Sequence, residues 1–257
     1  MLTYPMAARM SLQSVRPTVR VFCSLLLFAL SPLASASTST STVKVGDVTL
    51  EVPTSPGYAR VTPEMKELLA RIETVTAPHN VSLALYIPEQ DIPQALAGVL
   101  VESQRIRAVQ APKDTLDRQF TQEYFADMKV GMRMQQAQVI EKLKRDMPEM
   151  MNKTLDKVSD ASQNARVNPG GVETLLSHYE DANSFASSIV ARIEYNAGGN
   201  QPAVSVVTAT MTLVLVKGKL IFLYVYGNED DLEWTREQSK EWTKALVAAN
   251  QPRLKKP

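Results

Sequence analysis

The sequence predicts an α+β fold: a mainly antiparallel sheet of about six to seven strands, flanked by helices, with one long amphipathic helical segment. Three observations predict it. Apolar residues alternate with a period of two through 172–227, which indicates a C-terminal meander of strands. Residues 121–165 repeat apolar side chains at the three- and four-residue spacing of a helix. A second helical pattern follows the last strand, and strands and helices grouped in runs are typical of α+β proteins.

Residues 1–36 are predicted to be a signal peptide and not part of the fold. Three arginines and no acidic residue precede an apolar run at 21–30, and Ala-Ser-Ala at 34–36 is the pattern that signal peptidase recognises. Cleavage is therefore expected between Ala36 and Ser37. The run is shorter than the about 20 residues of a membrane-spanning helix. We expect no stable membrane span after cleavage, and an uncleaved anchor is the less favoured alternative.

Removal of the signal peptide changes which classes of protein and partner the composition is compatible with. The only cysteine, Cys23, leaves with it, which excludes a disulfide scaffold. The 28 basic residues lose three arginines, and the remaining 25 stand against 27 acidic residues, a net charge of −2. A nearly neutral chain lacks the basic surface that nucleic acid requires, so we expect no nucleic-acid partner. Residues 253–257 form a short basic tail that we expect to be solvated.

The mature chain is predicted to begin with a flexible leader at 37–42, in which Ser and Thr alternate, followed by a single domain at 43–252. The domain opens with two apolar-polar alternating segments, 43–45 and 48–52, on either side of Gly46. This pattern predicts a short hairpin.

The next stretch predicts a helix, then a strand, then a short helix and a second strand. Thr62 is the expected N-cap of the first helix, because Pro63 follows it at the position where proline is tolerated. Residues 81–87 alternate as a strand, and a short helix is expected after Asp91. A further strand is predicted at 104–110, where two arginines indicate an edge or half-exposed position.

The segment 121–165 is interpreted as one long amphipathic helix or two consecutive ones. Pro148 lies within it and is expected to kink or divide it. The segment is rich in methionine and glutamine and longer than a compact core requires. Because methionine-rich helix faces bind protein partners adaptably, we expect an envelope protein partner to bind through helix 121–165.

The strands of the C-terminal meander are predicted at 172–179, 184–195, 203–216 and 219–227. Ser184 and Ser188 fall on the polar face of the second of these strands, which we expect to be uncovered. The last two strands are apolar on both faces and are joined by Lys217 and Gly218. They are therefore predicted to form a hairpin at the centre of the sheet. Asp230 is the expected cap of the final helix.

The sequence predicts no catalytic residues and no cofactor. The two histidines, His79 and His178, lie far apart, and neither a GxSxG motif nor a glycine-rich phosphate loop is present. The alternative is a periplasmic hydrolase or metal-dependent enzyme that uses His178 with scattered carboxylates. Two carboxylates converging on His178 would favour that alternative.

Methionine is the one unusual feature of the composition. Six of the eight methionines that remain after the signal peptide lie between Met128 and Met151. Met147, Met150 and Met151 have the spacing of one helix face, and thioether clusters bind Cu(I). These three residues are the candidate metal ligands of a copper carrier. The interpretation that we favour is that they fill an irregular packing stripe.

Two parts of the chain resemble PsbP-like domains. Residues 214–226 (VLVKGKLIFLYVY), followed by a helix that carries Trp234 and Trp242, resemble the end of such domains. Residues 48–53 (VTLEVP) with Gly57 resemble their beginning. The chain also resembles uncharacterised exported proteobacterial proteins of similar length. The resemblance implies an antiparallel sheet flanked by helices and a non-enzymatic binding or assembly role, and it implies no functional residues.

Together these observations predict an exported, periplasmic or secreted protein that binds or helps to assemble another envelope component and is not an enzyme. The hydrolase or metal-dependent enzyme and the methionine-rich copper carrier are the two alternatives.

Overall fold

The computed structural model describes residues 40–99, 105–158, 166–168, 171–195 and 203–252. The predicted signal peptide, its cleavage position between Ala36 and Ser37, and the basic tail at 253–257 lie outside these residues. Residues 159–165, the end of the predicted helical segment, lie outside them as well.

Within the described ranges, the chain forms nine strands and four α-helices. The strands are β1 (Thr40–Val45), β2 (Val48–Pro53), β3 (Tyr58–Arg60), β4 (Asn80–Pro88), β5 (Arg107–Pro112), β6 (Val172–Glu180), β7 (Ser184–Tyr195), β8 (Ala203–Val216) and β9 (Lys219–Asn228). The helices are α1 (Lys66–Val75), α2 (Ile92–Leu96), α3 (Gln122–Val158) and α4 (Leu232–Ala249).

Seven of these strands form one sheet in the order β3-β4-β5-β9-β8-β7-β6, and every neighbouring pair is antiparallel. The α+β prediction with an antiparallel sheet is therefore confirmed, as is the central position of the β8–β9 hairpin. Its turn residues Lys217 and Gly218 have φ angles of 46° and 74°. Two consecutive positive φ values are those of a type I′ turn, whose twist matches that of the flanking strands.

Helices and a second, two-stranded sheet cover the two faces of the large sheet. On one face α4 and the β1–β2 hairpin enclose a core that includes Trp242, Leu246 and Leu223. On the other face α1 and α2 enclose a cluster around Ile87, and the start of α3 encloses another around Phe125. This two-sided cover explains why β8 and β9 are apolar on both faces.

A row of buried hydroxyl groups joins α4 to the sheet. Ser188 hydrogen-bonds to Thr210 at 2.9 Å, and Thr210 to Thr235 of α4 at 3.0 Å. The prediction that Ser184 and Ser188 lie on an uncovered face is therefore wrong, since both are fully buried. The period of two identified the face correctly, but small polar residues under a helix resemble solvent-facing ones in the sequence.

Two element starts differ from the predictions. The leader predicted at 37–42 is a strand from Thr40 onward, because β1 pairs with β2 as far as Thr40 opposite Pro53. The helix predicted to begin at Thr62 begins at Lys66, because the Thr62 carbonyl accepts a hydrogen bond from the Met65 amide and forms a turn first.

The final helix is also capped at a different place. A short turn at Glu229–Asp231 precedes α4, and the Asp231 carboxylate accepts a hydrogen bond from the Asn228 amide at 2.9 Å. Asp230, the predicted cap, lies inside that turn. Asp231 also accepts hydrogen bonds from Arg105, which hold this turn against the segment before β5.

The long helical segment is one helix, α3, that continues through Pro148. The division expected at the proline is absent, and the turns on both sides of it are held by Met147 and Met151, which pack against Val167, Val172 and their neighbours.

The strand predicted at 104–110 runs instead from Arg107 to Pro112, between β4 and β9. Its expected edge position is therefore wrong.

Candidate functional site

The inner side of α3 is fixed to the sheet by apolar and ionic contacts. Phe125 is fully buried against Leu213, Leu215 and Leu220. The buried Lys129 ammonium donates to the backbone carbonyl of Asp181 and lies 3.4 Å from the Glu180 carboxylate. These contacts hold the first half of α3 in a defined orientation and determine which side chains face outward.

Most of the exposed apolar side chains lie on the side of the sheet that is covered by α1, α2 and α3. Seven large hydrophobic residues are exposed in the described part of the chain, and five of them lie on α3 or on α2 and the turn after it. These five are Leu96, Val99, Tyr124, Val130 and Met134. Met134 is the most exposed, at 80%, and Val130 precedes it by one helical turn at 43%. Residues four apart share a helix face, so the two form an exposed apolar strip.

The exposed charges of α3 are acidic at its beginning and mixed further along. Glu123 and Asp127 lie before the apolar strip. Beyond Met134, Lys144 pairs with Glu141 at 3.3 Å and Arg145 pairs with Asp146 at 2.8 Å, so these basic groups are already compensated. The apolar strip therefore has an acidic region at one end only.

The candidate copper ligands are partly accounted for by packing. Met147 and Met151 contact the cluster of Val167, Val172 and Ala191, as expected for thioethers that fill a core. The side chain of Met150 lies outside the described part of the molecule. No group of three or more His, Cys, Asp or Glu side chains that would hold a metal is found among the residues described.

His178 lies on the edge strand β6, in an irregular stretch of its pairing with β7. Both ring nitrogens are buried and make no hydrogen bond within the described ranges. Burial lowers the pKa of His178 to about 4, and Arg236 and Lys240 act in the same direction. Glu233 opposes the shift, but its carboxylate is bound to Arg236 at 2.8 Å. Two carboxylates converging on His178 are not found in this part of the chain.

A cluster of arginines and aromatic rings lies where β5 meets the start of α4. The Arg105 guanidinium lies 4.6 Å from the centre of the Trp234 ring and binds Asp231 through two hydrogen bonds. These bonds raise the pKa of Arg105 and lower that of Asp231. Arg107 lies 4.2 Å from the centre of the Tyr58 ring.

The two arginines differ in exposure. The Arg105 side chain is about half exposed, whereas Arg107 is only 2% exposed. Burial lowers the pKa of Arg107, and Tyr58 and Glu241 oppose that shift. The sequence analysis predicted both arginines on one strand at an edge or half-exposed position, whereas Arg105 precedes β5 and Arg107 is buried. The signal it missed is the concentration of aromatic residues, Tyr58 and Trp234, in segments that fold over them.

Among the described residues, no helix combines the length and the apolar character needed to cross a membrane.

Comparisons with known proteins find weak similarity to two solved structures. The chain is similar to the solution structure of cyanobacterial PsbP (CyanoP) from Synechocystis sp. PCC 6803, with 14% identity over 84% of this chain and 94% of that one, and a TM-score of 0.30. It is also similar to the crystal structure of the Ran-binding protein Mog1p from Saccharomyces cerevisiae, with 12% identity over 83% and 93% of the two chains and a TM-score of 0.28. No family model and no curated protein sequence matches the chain. The first of these is a weak structural similarity to a protein of the PsbP-like kind that the sequence resembles.

Proposed function

We propose that this chain is an exported, periplasmic binding or assembly protein without enzymatic activity, and that it binds an envelope protein through the outer side of α3. The observation that supports the proposal is the exposed strip of Val130 and Met134. It lies on a helix whose opposite side is fixed to the sheet by Phe125 and Lys129. A rigid element that exposes apolar side chains has the character of an interaction surface.

The partner that fits this surface presents an apolar strip with a basic region at one end. The basic region lies opposite Glu123 and Asp127, which are both exposed. Charges at the rim of such an interface set the direction of binding, whereas the buried apolar centre supplies most of the affinity. An amphipathic helix laid along α3 meets both requirements.

Site-specific photo-crosslinking in cells tests the proposal. A crosslinker at Met134 is expected to capture one discrete envelope protein, and the same crosslinker at Leu176 provides the matched control. Leu176 is 65% exposed and lies on the strand β6, not on α3. Equal capture at the two positions, or no capture at Met134, would contradict the proposed surface.

Substitution of the strip gives a second measurement. Val130→Glu with Met134→Glu is expected to abolish co-purification of the captured protein without a change in melting temperature, because both side chains are exposed. Leu176→Glu is expected to leave co-purification intact.

The export step is tested separately, by mass spectrometry of the protein released from the periplasm, where we expect the chain to begin at Ser37.

A further inference from the structure

Arg105 and Arg107 have different hydrogen-bond partners. Arg105 donates through Nε and Nη2 to the two carboxylate oxygens of Asp231, at 3.1 and 2.7 Å. Arg107 donates through Nη2 to the amide oxygen of Gln238 at 2.7 Å, and its buried Nε has no partner among the described residues. Nε and Nη2 are the two parallel donors that bind both oxygens of a carboxylate. In Arg107, one of these two donors, Nε, is therefore unused.

The charge of Arg107 is also incompletely compensated. Its Nη1 donates to the Ser55 hydroxyl, which is neutral, and no carboxylate is hydrogen-bonded to it in the described part of the chain. The carboxylate of Glu241 acts on it at a distance and accepts a hydrogen bond from the Gln238 amide at 3.2 Å. The rings of Tyr58 and Trp234 offset part of the cost of burial. A buried cation with an unused donor is costly unless an anion completes it.

We propose that Arg107 is the recognition group for the carboxylate of a small organic acid, which displaces the Gln238 oxygen and also accepts from the empty Nε. The ligand is expected to carry a single negative charge, because Asp231 already neutralises Arg105. Tyr58 and Trp234 provide the aromatic walls for the organic part of the acid. The site is separate from the α3 surface and does not depend on the proposed partner.

Entry to the site requires movement of the segment that covers Arg107. Ser55 lies in the turn between β2 and β3, and Tyr58 is the first residue of β3; the central residues of the turn, Pro56 and Gly57, are exposed. It leads into β3, which is three residues long and lies at the edge of the sheet. A short edge segment opens at lower cost than the central strands do. A small acid, and not a polymer, is the ligand that such an opening admits.

Tryptophan fluorescence of the full chain tests the proposal. The two tryptophans of the sequence, Trp234 and Trp242, have ring centres 5.9 and 5.8 Å from the Arg107 guanidinium carbon. The probes are sodium acetate and sodium propionate, with sodium chloride and inorganic phosphate as comparison salts at constant ionic strength. The expected result is a saturable change with the two carboxylates and none with chloride.

Two variants assign the response to Arg107. Gln238→Glu places a carboxylate beside Nη2 of Arg107 and is expected to weaken acetate binding by at least about tenfold. Arg107→Lys, which removes the bidentate edge, is expected to weaken binding similarly. Arg133→Lys, a change at a surface arginine that binds Glu180, is the control and is expected to leave binding unchanged.

An unchanged response in Gln238→Glu would overturn the proposal, as would a response that follows ionic strength alone. Saturation by phosphate with the same affinity as by acetate would overturn the assignment to carboxylates. If Arg107→Lys does not fold, Gln238→Glu decides the question, since that variant adds a counter-charge and removes none.

Discussion

Single polar side chains join segments of this protein that are far apart in sequence. Asn250, at the end of α4, forms a pair of hydrogen bonds with the backbone of Glu51: its Oδ1 accepts from the amide at 2.9 Å, and its Nδ2 donates to the carbonyl at 2.7 Å. Asn152 forms the same pair with Val167, at 2.7 and 2.9 Å. In both cases a side-chain amide makes the pair of backbone hydrogen bonds that a neighbouring strand would otherwise make.

Asn250→Ala is expected to lower the free energy of unfolding by about 2–3 kcal/mol, because Asn250 is 4% exposed and the Glu51 backbone groups lose their partner. Asn152→Ala is expected to cost less, about 1 kcal/mol, since Asn152 is half-buried and water can replace it. Urea unfolding of both variants measures the difference. Equal losses would show that burial does not set the cost of removing the amide.

Lys219 is a third polar residue that joins distant segments. Its fully buried ammonium donates to the carbonyls of Leu116 and Arg118 at 3.0 and 3.1 Å and binds the Asp47 carboxylate at 2.9 Å. Lys219→Met is expected to lower the free energy of unfolding by about 2–4 kcal/mol, because two carbonyls lose their donor. Asp47→Asn removes only an exposed charge and is expected to have little effect in the same unfolding experiment. A large effect of Asp47→Asn would assign the stabilisation to the ion pair instead.

At the scale of elements, the seam between α4 and β8 consists of paired hydroxyl groups. Thr212 of β8 and Ser239 of α4 hydrogen-bond at 2.6 Å, and both are fully buried. The spacing of two in the strand and four in the helix brings Thr210 and Thr212 opposite Thr235 and Ser239. The seam fixes the position of α4 along the strand, because sliding the helix would leave all of these hydroxyls without partners.

A double-mutant cycle on this seam is expected to give non-additive losses of stability. Thr212→Val and Ser239→Ala are each expected to cost about 1–2 kcal/mol, since each leaves one buried hydroxyl without its partner. The double variant is expected to cost less than the sum of the two, because it leaves neither hydroxyl unpaired. The free energies of unfolding of the four proteins measure the coupling. Additive losses would mean that the hydroxyls are satisfied independently.

The elements that the sequence predicted best are those whose signals are local. β7 and β8 begin and end where alternation and turn residues predicted, because Lys217 and Gly218 fix the turn between β8 and β9. The starts of α1 and α4 were misplaced, since a turn before each helix competes with its cap. The burial of Arg107 was not predictable, because the residues that cover it come from a turn about fifty positions earlier and from α4 about 130 positions later.

For the molecule as a whole, the two faces of the sheet differ in character. The face under α4 combines an apolar core with hydroxyl pairs and the arginine–aromatic cluster, and it fixes α4 in one register. The face under α1 and α3 is apolar, and α2, the turn after it and α3 carry five of the seven exposed large hydrophobic side chains of the described residues. This division separates the proposed partner surface on α3 from the proposed carboxylate site on β5, so variants at one are expected not to alter binding at the other.

The pH dependence of stability follows from the environment of His178. Its pKa in the folded protein is lowered to about 4, mainly by burial and also by Arg236. The unfolded chain binds a proton below about pH 6.5. The folded protein therefore loses stability as the pH falls from about 6.5 towards 4, since over this interval the unfolded state binds more protons. Below that interval, Asp231 adds a further loss, because Arg105 holds its pKa below the ordinary value.

His178→Leu is expected to flatten the stability profile between pH 6.5 and 4 and to leave the loss at lower pH unchanged. The leucine does not titrate, and it removes two buried nitrogens that make no hydrogen bond within the described residues. His79→Gln, at the exposed histidine before β4, is the matched control and is expected to keep the profile of the original protein. Thermal unfolding at half-unit steps of pH measures all three proteins. Parallel curves for the original protein and His178→Leu would assign the acid sensitivity to the carboxylates and not to His178.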